Sequence, residues 1–432
     1  MPKHLMTCAV LSLSMLLGGC TSDERDFGES VATGKSCSQS ETNQFVYDSM
    51  HSDYLWYNEV PHLDYASYRD TSSLLADLRF ETYDRFSYVM DQADYEAAMQ
   101  SRITAFGFSL VLWEDRYVFS FIQPGSPMDK AGVRRGDELL QLADVPMSQM
   151  DNATFSLLLD TSAGPNTQEM LIAKRDSEQV TLITVTSAEF DVTTVFHTHS
   201  RETGGATTGY LGLSRFMTAS SGQLESAFED LKERGVTDLV VDLRNNGGGL
   251  IRVAAELAGL IGGTLVSGET FARISFNDRL SYNNTRYEFA STDQGLGLQR
   301  IILLTGPNTC SASEMIINGL APFMNVVTIG NATCGKPIGM VPAIGCDKAL
   351  FAINFQITNA FDEGGYFDGL EASCSVDDLP VTDMWNEQDA LYQAALGFIT
   401  QGQCITARSA TKASPVRPLS PKQPPLPDWD LF

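Results

Sequence analysis

Positive charge is scarce in this chain. Its 432 residues carry 29 Lys and Arg against 54 Asp and Glu, a formal net charge of −25. Such a surface repels phosphate backbones, which argues against a nucleic-acid partner. Histidine is scarcer still. There are five (His4, His51, His62, His197 and His199), and none sits in a motif with a Ser and a carboxylate. Lysine occurs nine times. No C-x-x-C pair exists and no His neighbours the cysteines, which argues against a structural metal site. Neither a metal nor any other cofactor is implied. The apolar stretch Leu5 to Leu17 has 13 residues, too short to span a bilayer comfortably.

What is present at the N-terminus reads as an export signal. Lys3 and His4 precede that apolar stretch, and Leu17-Gly18-Gly19-Cys20 follows it. The four residues resemble a bacterial lipobox. The resemblance implies a signal peptide over 1–19, a lipidated Cys20 as first mature residue, and an anchor in the cell envelope. Thr21 after the Cys implies the outer membrane. Residues 20–40 then read as a polar tether. Cys8 leaves with the signal; Cys37, Cys310, Cys334, Cys346, Cys374 and Cys404 remain. An even number outside the cytoplasm suggests disulfides, with fifteen possible pairings. A Cys310–Cys334 bridge would hold two candidate catalytic residues close together.

The remaining chain is predicted to be multidomain α/β. Residues 41–100 place Phe45, Val46, Met50, Tyr54, Leu55 and Trp56, then Leu74, Leu75 and Leu78, at helical spacing. They predict a small helical N-terminal domain. Residues 101–188 switch to strands around Phe106-Gly107-Phe108 and Tyr117–Ile122, followed by a G-S-P…A-G…G-D-x-L run ending at Leu139-Leu140. This run resembles a PDZ domain. The resemblance implies that Phe106, Gly107 and Phe108 form a peptide-binding loop and that a peptide adds to the sheet edge as a strand. Residues 189–408 alternate strands and helices: a helix over 222–234, a buried strand over 238–243, a helix over 253–261, a strand over 300–304, a helix over 313–324 and a strand over 326–329. Residues 351–357 alternate as one half-exposed strand. Residues 409–432 are Pro-rich and read as a disordered or polyproline-like tail.

A serine hydroxyl needs a base before it acts as a nucleophile, and that base can be His or Lys. Thr309-Cys310-Ser311-Ala312-Ser313-Glu314 follows a buried strand and opens a helix, whose N-terminus favours developing negative charge. Lys336 follows Ser311 by 25 positions, in a Gly335-Lys336-Pro337 turn after the next strand. With Asp242-Leu243-Arg244-Asn245-Asn246-Gly247-Gly248, these segments resemble the S41, or C-terminal processing, peptidases over about residues 101–375. The resemblance implies a ClpP/crotonase-like α/β serine protease core. It further implies Ser311 as nucleophile, Lys336 as base, and an oxyanion hole from Ala312 with Gly247 or Gly248. Protein or peptide substrates follow from it.

One position departs from that pattern. Where many members carry a Gln that orients the lysine, this chain has Met340. Either another polar group acts, with Gln356 as candidate, or the dyad is silent and the chain is a lipid-anchored peptide-binding scaffold. Plainer readings accompany the motifs. Ser313 reads as a helix cap, Arg244 as an ion-pair partner of Asp242, and His197 and His199 as surface residues of a strand. Gly330-x4-Gly335-Lys336 imitates a phosphate loop, yet Pro337 supplies neither the Ser/Thr nor the helix that such a loop needs.

Overall fold

The computed structural model describes residues 37–99, 102–161, 164–177, 179–404 and 417–418, so the signal segment and Cys20 lie outside the described residues. At the centre is a six-stranded sheet in the order Val195–Thr203, Ala206–Leu213, Asp238–Asp242, Arg300–Thr305, Asn325–Gly330, Cys374–Ser375. The first pair is antiparallel and the others are parallel. Strands covered on both faces read as unbroken apolar runs, and this explains the Leu239-Val240-Val241 run of the strand Asp238–Asp242. Leu239, Val241, Ile301 and Leu303 face one core with the helices Ser220–Glu233, Ile251–Gly262 and Ala312–Leu320. Val240, Ile302 and Leu304 face the other, beneath the helix Ala390–Gln401.

The expected strand over 351–357 is two strands. Lys348–Phe351 pairs with Tyr88–Asp91, whereas Phe355–Thr358 pairs with Thr270–Phe276 and Ile338–Gly339. The break has a cause. Asn354 turns to hold both the N–H and the carbonyl of Val341, and the Ile353 backbone is taken by Ser87 Oγ and Leu55 N–H.

The N-terminal helices Gln39–Ser52 and Thr71–Leu78 are capped by Ser38 and Asp70. Their buried residues Val46, Met50, Leu74 and Leu78 do not close a core of their own. They share one with Cys310, Ile338, Leu350 and Ile353. The Cys37–Cys346 disulfide ties the same layers together. This segment therefore forms a wall of the candidate site, and it includes the strand Tyr88–Asp91 as well as helices.

Residues 102–191 build a second unit, a sheet of strands from 108–186 around Phe106, Phe108, Phe119, Leu139 and Ile172, with Arg102–Ala105 paired to Ala188–Asp191 as a separate two-stranded sheet. The G-D-x-L run is explained by Asp137, which is buried and accepts from Arg134 N–H, Arg175 N–H and Lys174 Nζ. Arg135 joins this unit to the central sheet. It donates to Ser120 O, Asp378 Oδ1 and Thr382 O. Arg244 meets the same Asp378, and also Asp242 and Asp389. Burial raises the Asp378 carboxyl, but the two guanidiniums outweigh it and hold the group below the ordinary range. At the far edge of the second sheet, Arg417–Pro418 pairs antiparallel with Phe108–Trp113, so two residues of the expected tail are a strand.

Arg135→Ala removes one partner of a buried ionic cluster, which typically costs about 3–5 kcal/mol. Urea unfolding should show a loss of that size. A loss below about 1 kcal/mol would mean that the cluster does not couple the two sheets.

Candidate active site

The strand Arg300–Thr305 delivers the chain to a tight turn. Thr309 Oγ1 donates to Leu243 O and accepts from Gly306 N–H. Cys310 N–H and Ser313 Oγ both donate to Asn246 O. Ser313 is thus not the helix cap: its hydroxyl ties the helix to the 244–249 loop, and Ser311 holds the cap position. Ser311 has φ 55° and ψ −115°. A non-glycine residue there costs on the order of 1–3 kcal/mol, and persists only where its surroundings over-determine it.

Two devices impose the strain. One is the 244–249 loop. Gly248, at φ 110°, lies so close that a Cβ on it would be 2.8 Å from Ser311 Cβ and 3.1 Å from Ala312 N. Gly248 N–H is occupied by Asn246 Oδ1 at 2.9 Å. Gly248 therefore serves by lacking a side chain; of the two glycines expected as oxyanion donors, Gly247 and Gly248, its N–H is the one bonded within the loop. Ala312 N–H is the first of its helix and has no intrahelical acceptor.

The other device is Glu314. Its buried carboxylate accepts Ser311 N–H and Lys336 N–H on Oε2, each at 2.9 Å. Two bonds to one atom place those nitrogens no farther apart than twice that length. On Oε1 it accepts Gly335 N–H at 2.8 Å and the Thr333 hydroxyl at 2.5 Å. Burial pushes this carboxyl above its ordinary range, and these four donors partly draw it back. The Cys310–Cys334 disulfide, with Cα atoms 5.2 Å apart, fastens the same two turns. Cys310, Glu314 and Cys334 form a candidate metal cluster by proximity, but both thiols are spent in the bridge.

Lys336 itself extends past Phe86, with Nζ 5.0 Å from the ring centroid. Its turn is gripped from outside: Arg85 donates to Cys334 O, and Gly335, at φ 82°, would clash through a Cβ with Phe367 O. Met340 packs in the apolar cluster of the N-terminal helices. Gln356 is exposed, on the strand paired with Ile338. Tyr366 carries a buried hydroxyl with no hydrogen-bond partner among the described residues. Burial first, and the charge of Glu314 second, keep that phenol un-ionised.

The structure thus brings Ser311, Ala312, Gly248 and Lys336 together. It does not bring His197 or His199 to them. His197 stacks on Trp385, and His199 bonds to Tyr392 OH at 2.9 Å. Both are half-buried rather than surface residues, and burial pushes His197 down to about 4.

A family model described as peptidase family S41 matches residues 207–365, and one described as the peptidase S41 N-terminal domain matches 41–88. Over these two segments the chain is similar to peptidase family S41. Curated relatives include carboxyl-terminal-processing proteases from Synechocystis, 26% identical over 300 residues, and from Picosynechococcus, 24% identical over 289 residues. The Synechocystis match covers 66% of both chains; the other covers 65% of this chain and 66% of its relative. The chain thus spans about two thirds of the length of the curated relatives it matches. A solved putative S41 protease from Bacteroides fragilis shares the fold, with TM-score 0.67 and 24% identity, over 82% of this chain and 97% of that one. A photosystem II D1 C-terminal processing protease overlays with TM-score 0.50 and 18% identity, over 80% and 95%.

Sequence reasoning missed Glu314, Thr333, Phe86, Arg85 and Tyr366. Only Glu314 had a local signal, the S-x-x-E capping box that opens its helix. Glu314→Gln places an amide N–H₂ against backbone donors, and turnover should fall about tenfold or more, as loss of charge-assisted bonds does. Because the native carboxyl is raised, protonation begins at a higher pH than for a free Glu. Turnover should therefore decline on acidification while ordinary glutamates, near about 4.3, are still ionised. A kcat–pH profile that keeps this limb unchanged in the Gln variant would assign it to another group.

Proposed function

We propose that this chain is a serine endopeptidase with a Ser311–Lys336 dyad, acting on unfolded or C-terminal segments of envelope proteins. The shared grip of Glu314 on both turns carries the reading: it couples a strained serine at a helix N-terminus to one lysine. The amine of Lys336 takes the Ser311 Oγ proton as Oγ attacks the scissile carbonyl carbon. Ala312 N–H and Gly247 N–H receive the oxyanion. The C–N bond then breaks and Lys336 returns the proton to the leaving amine. Water, deprotonated by the same amine, releases the acyl group.

Residues 102–191 act as a PDZ-type docking unit in this reading, with Phe106-Gly107-Phe108 leading into the strand Phe108–Trp113, to which a peptide adds in place of Arg417–Pro418. Cys20 carries the lipid that anchors the chain, on the outer membrane. The second reading, a silent peptide-binding scaffold, is favoured by Met340 alone.

Casein cleavage by residues 21–432 tests the dyad. Ser311→Ala and Lys336→Ala should each lower kcat by about a thousandfold or more while the circular dichroism spectrum is kept. Cleavage that survives either change removes that residue from the mechanism. An intact wild type that cleaves nothing supports the scaffold. For the anchor, the full-length chain should sediment with membranes and Cys20→Ala should not. Equal partition would refute lipidation at this residue.

A further inference from the structure

Cys310 directly precedes Ser311, and Cys334 stands two residues before Lys336. The sheet does not need their bridge. The parallel strands Arg300–Thr305 and Asn325–Gly330 keep register as far as Thr305 opposite Gly330, and the bridge acts only on the turns beyond them. There it adjoins the strained backbone of Ser311, at φ 55°. Such a conformation persists only under several restraints at once, and this bond is the covalent one.

The bridge also protects an acceptor. Cys334 Sγ lies 3.4 Å from Glu314 Oε2, the oxygen that takes Ser311 N–H and Lys336 N–H. A bridged sulfur has no proton and does not compete for that oxygen, whereas a free thiol is a donor. Unbonded sulfurs also cannot stay at covalent distance, and Cys310 is packed with Ile338, Leu350 and Ile353. Reduction therefore removes the covalent restraint, spreads the two turns and sets a rival donor against the grip of Glu314.

The bond is open to attack from one end. Cys310 is buried, whereas Cys334 is partly exposed. The exposed Arg85 donates to Cys334 O, and a cation beside that residue favours an anionic thiolate nucleophile. Cys310 lies just before the helix Ala312–Leu320, whose N-terminus favours a departing thiolate.

We propose that Cys310–Cys334 is a thiol–disulfide exchange site that switches the peptidase, on when bridged and off when reduced. The reductant is a dithiol. One of its thiolates attacks Cys334 Sγ, and the bond to Cys310 breaks with its electron pair leaving on Cys310, which takes up a proton. The second thiol of the reductant then attacks the mixed disulfide and frees Cys334 as a thiol. The dithiol loses two electrons and two protons and closes to a disulfide; the protein gains both. A disulfide oxidant reverses the sequence. A chain held in a thiol-reducing compartment is thus latent, and oxidation after export completes it. The effect on turnover rests on the Ser311–Lys336 reading; the loosening of the turns does not.

The test equilibrates the full chain in dithiothreitol buffers of graded reduced-to-oxidised ratio. EDTA is present, so that the freed thiols and Glu314 capture no metal. Alkylation with mass mapping follows each bridge, and hydrogen exchange follows the peptides that contain the Ser311 and Lys336 amides. Their exchange should accelerate about tenfold or more as Cys310–Cys334 opens. Casein cleavage should fall about tenfold or more in step, and return on reoxidation. Cys310→Ala with Cys334→Ser keeps a donor at 334 without the bond; this variant should be slow from the outset and indifferent to dithiothreitol. Unchanged exchange in the reduced chain overturns the proposal, as does faster exchange with cleavage unaffected. So does a variant that cleaves casein at the native rate, or a global loss of circular dichroism on reduction, which would make the bridge a part of the fold. If exchange accelerates while neither redox form cleaves casein, the exchange site stands and the dyad reading fails.

Discussion

A single carboxylate organises the centre of this protein. Glu314 is buried, and an ionised carboxyl in such a place is tolerated only when its lone pairs are filled. Four donors fill them, and they come from the Ser311 turn and the Lys336 turn. The cost of burial is thereby converted into geometry, since the only arrangement that satisfies the charge is the one that brings the two turns together. The backbone strain at Ser311 depends on this. Without the grip on its N–H, and without Gly248 pressed against it, that residue would relax into an ordinary cap.

A second buried charge system does for the domains what Glu314 does for the turns. Arg135 comes from the 102–191 sheet and Arg244 from the loop after Asp238–Asp242, and both end on Asp378. Arg244 opens the loop that carries Gly248, so the Asp378 carboxylate links the 102–191 unit to that loop. The N-terminal segment completes the enclosure by apolar contact, through Phe86 beside Lys336 and through the cluster that includes Cys310.

Much of this was legible in the sequence. The parallel strands announce themselves as buried Val, Ile and Leu runs, and Ser311, Lys336 and the glycine-rich loop stand at spacings that one helix and one strand explain. The helix expected over 222–234 and found at Ser220–Glu233 is legible because its apolar face repeats at the helical period and Gly235 follows it. What escaped was long-range. Apolar alternation runs through 351–357 without interruption, and only partners at Ser87, Leu55 and Val341 show that it breaks. Ser313 looks like a cap because Ser so often is one; its true acceptor, Asn246 O, lies 67 positions away. The N-terminal helices carry a convincing amphipathic pattern, yet no pattern reveals that the other half of their core is at 310 and 338–353. His197 and His199 alternate as surface residues would, and the aromatic lid of Trp385 and Tyr392 that covers them arrives from far along the chain.

Pro418 has a consequence for the life of the protein at high concentration. An open sheet edge recruits strands from neighbouring molecules and so seeds aggregation. The strand that covers Phe108–Trp113 is only two residues long, and one of them has no N–H to donate. It can satisfy the edge beneath it but offers almost no ladder to a further chain. The sheet therefore ends there, and the molecule gains a seal against self-association along the Phe108–Trp113 strand.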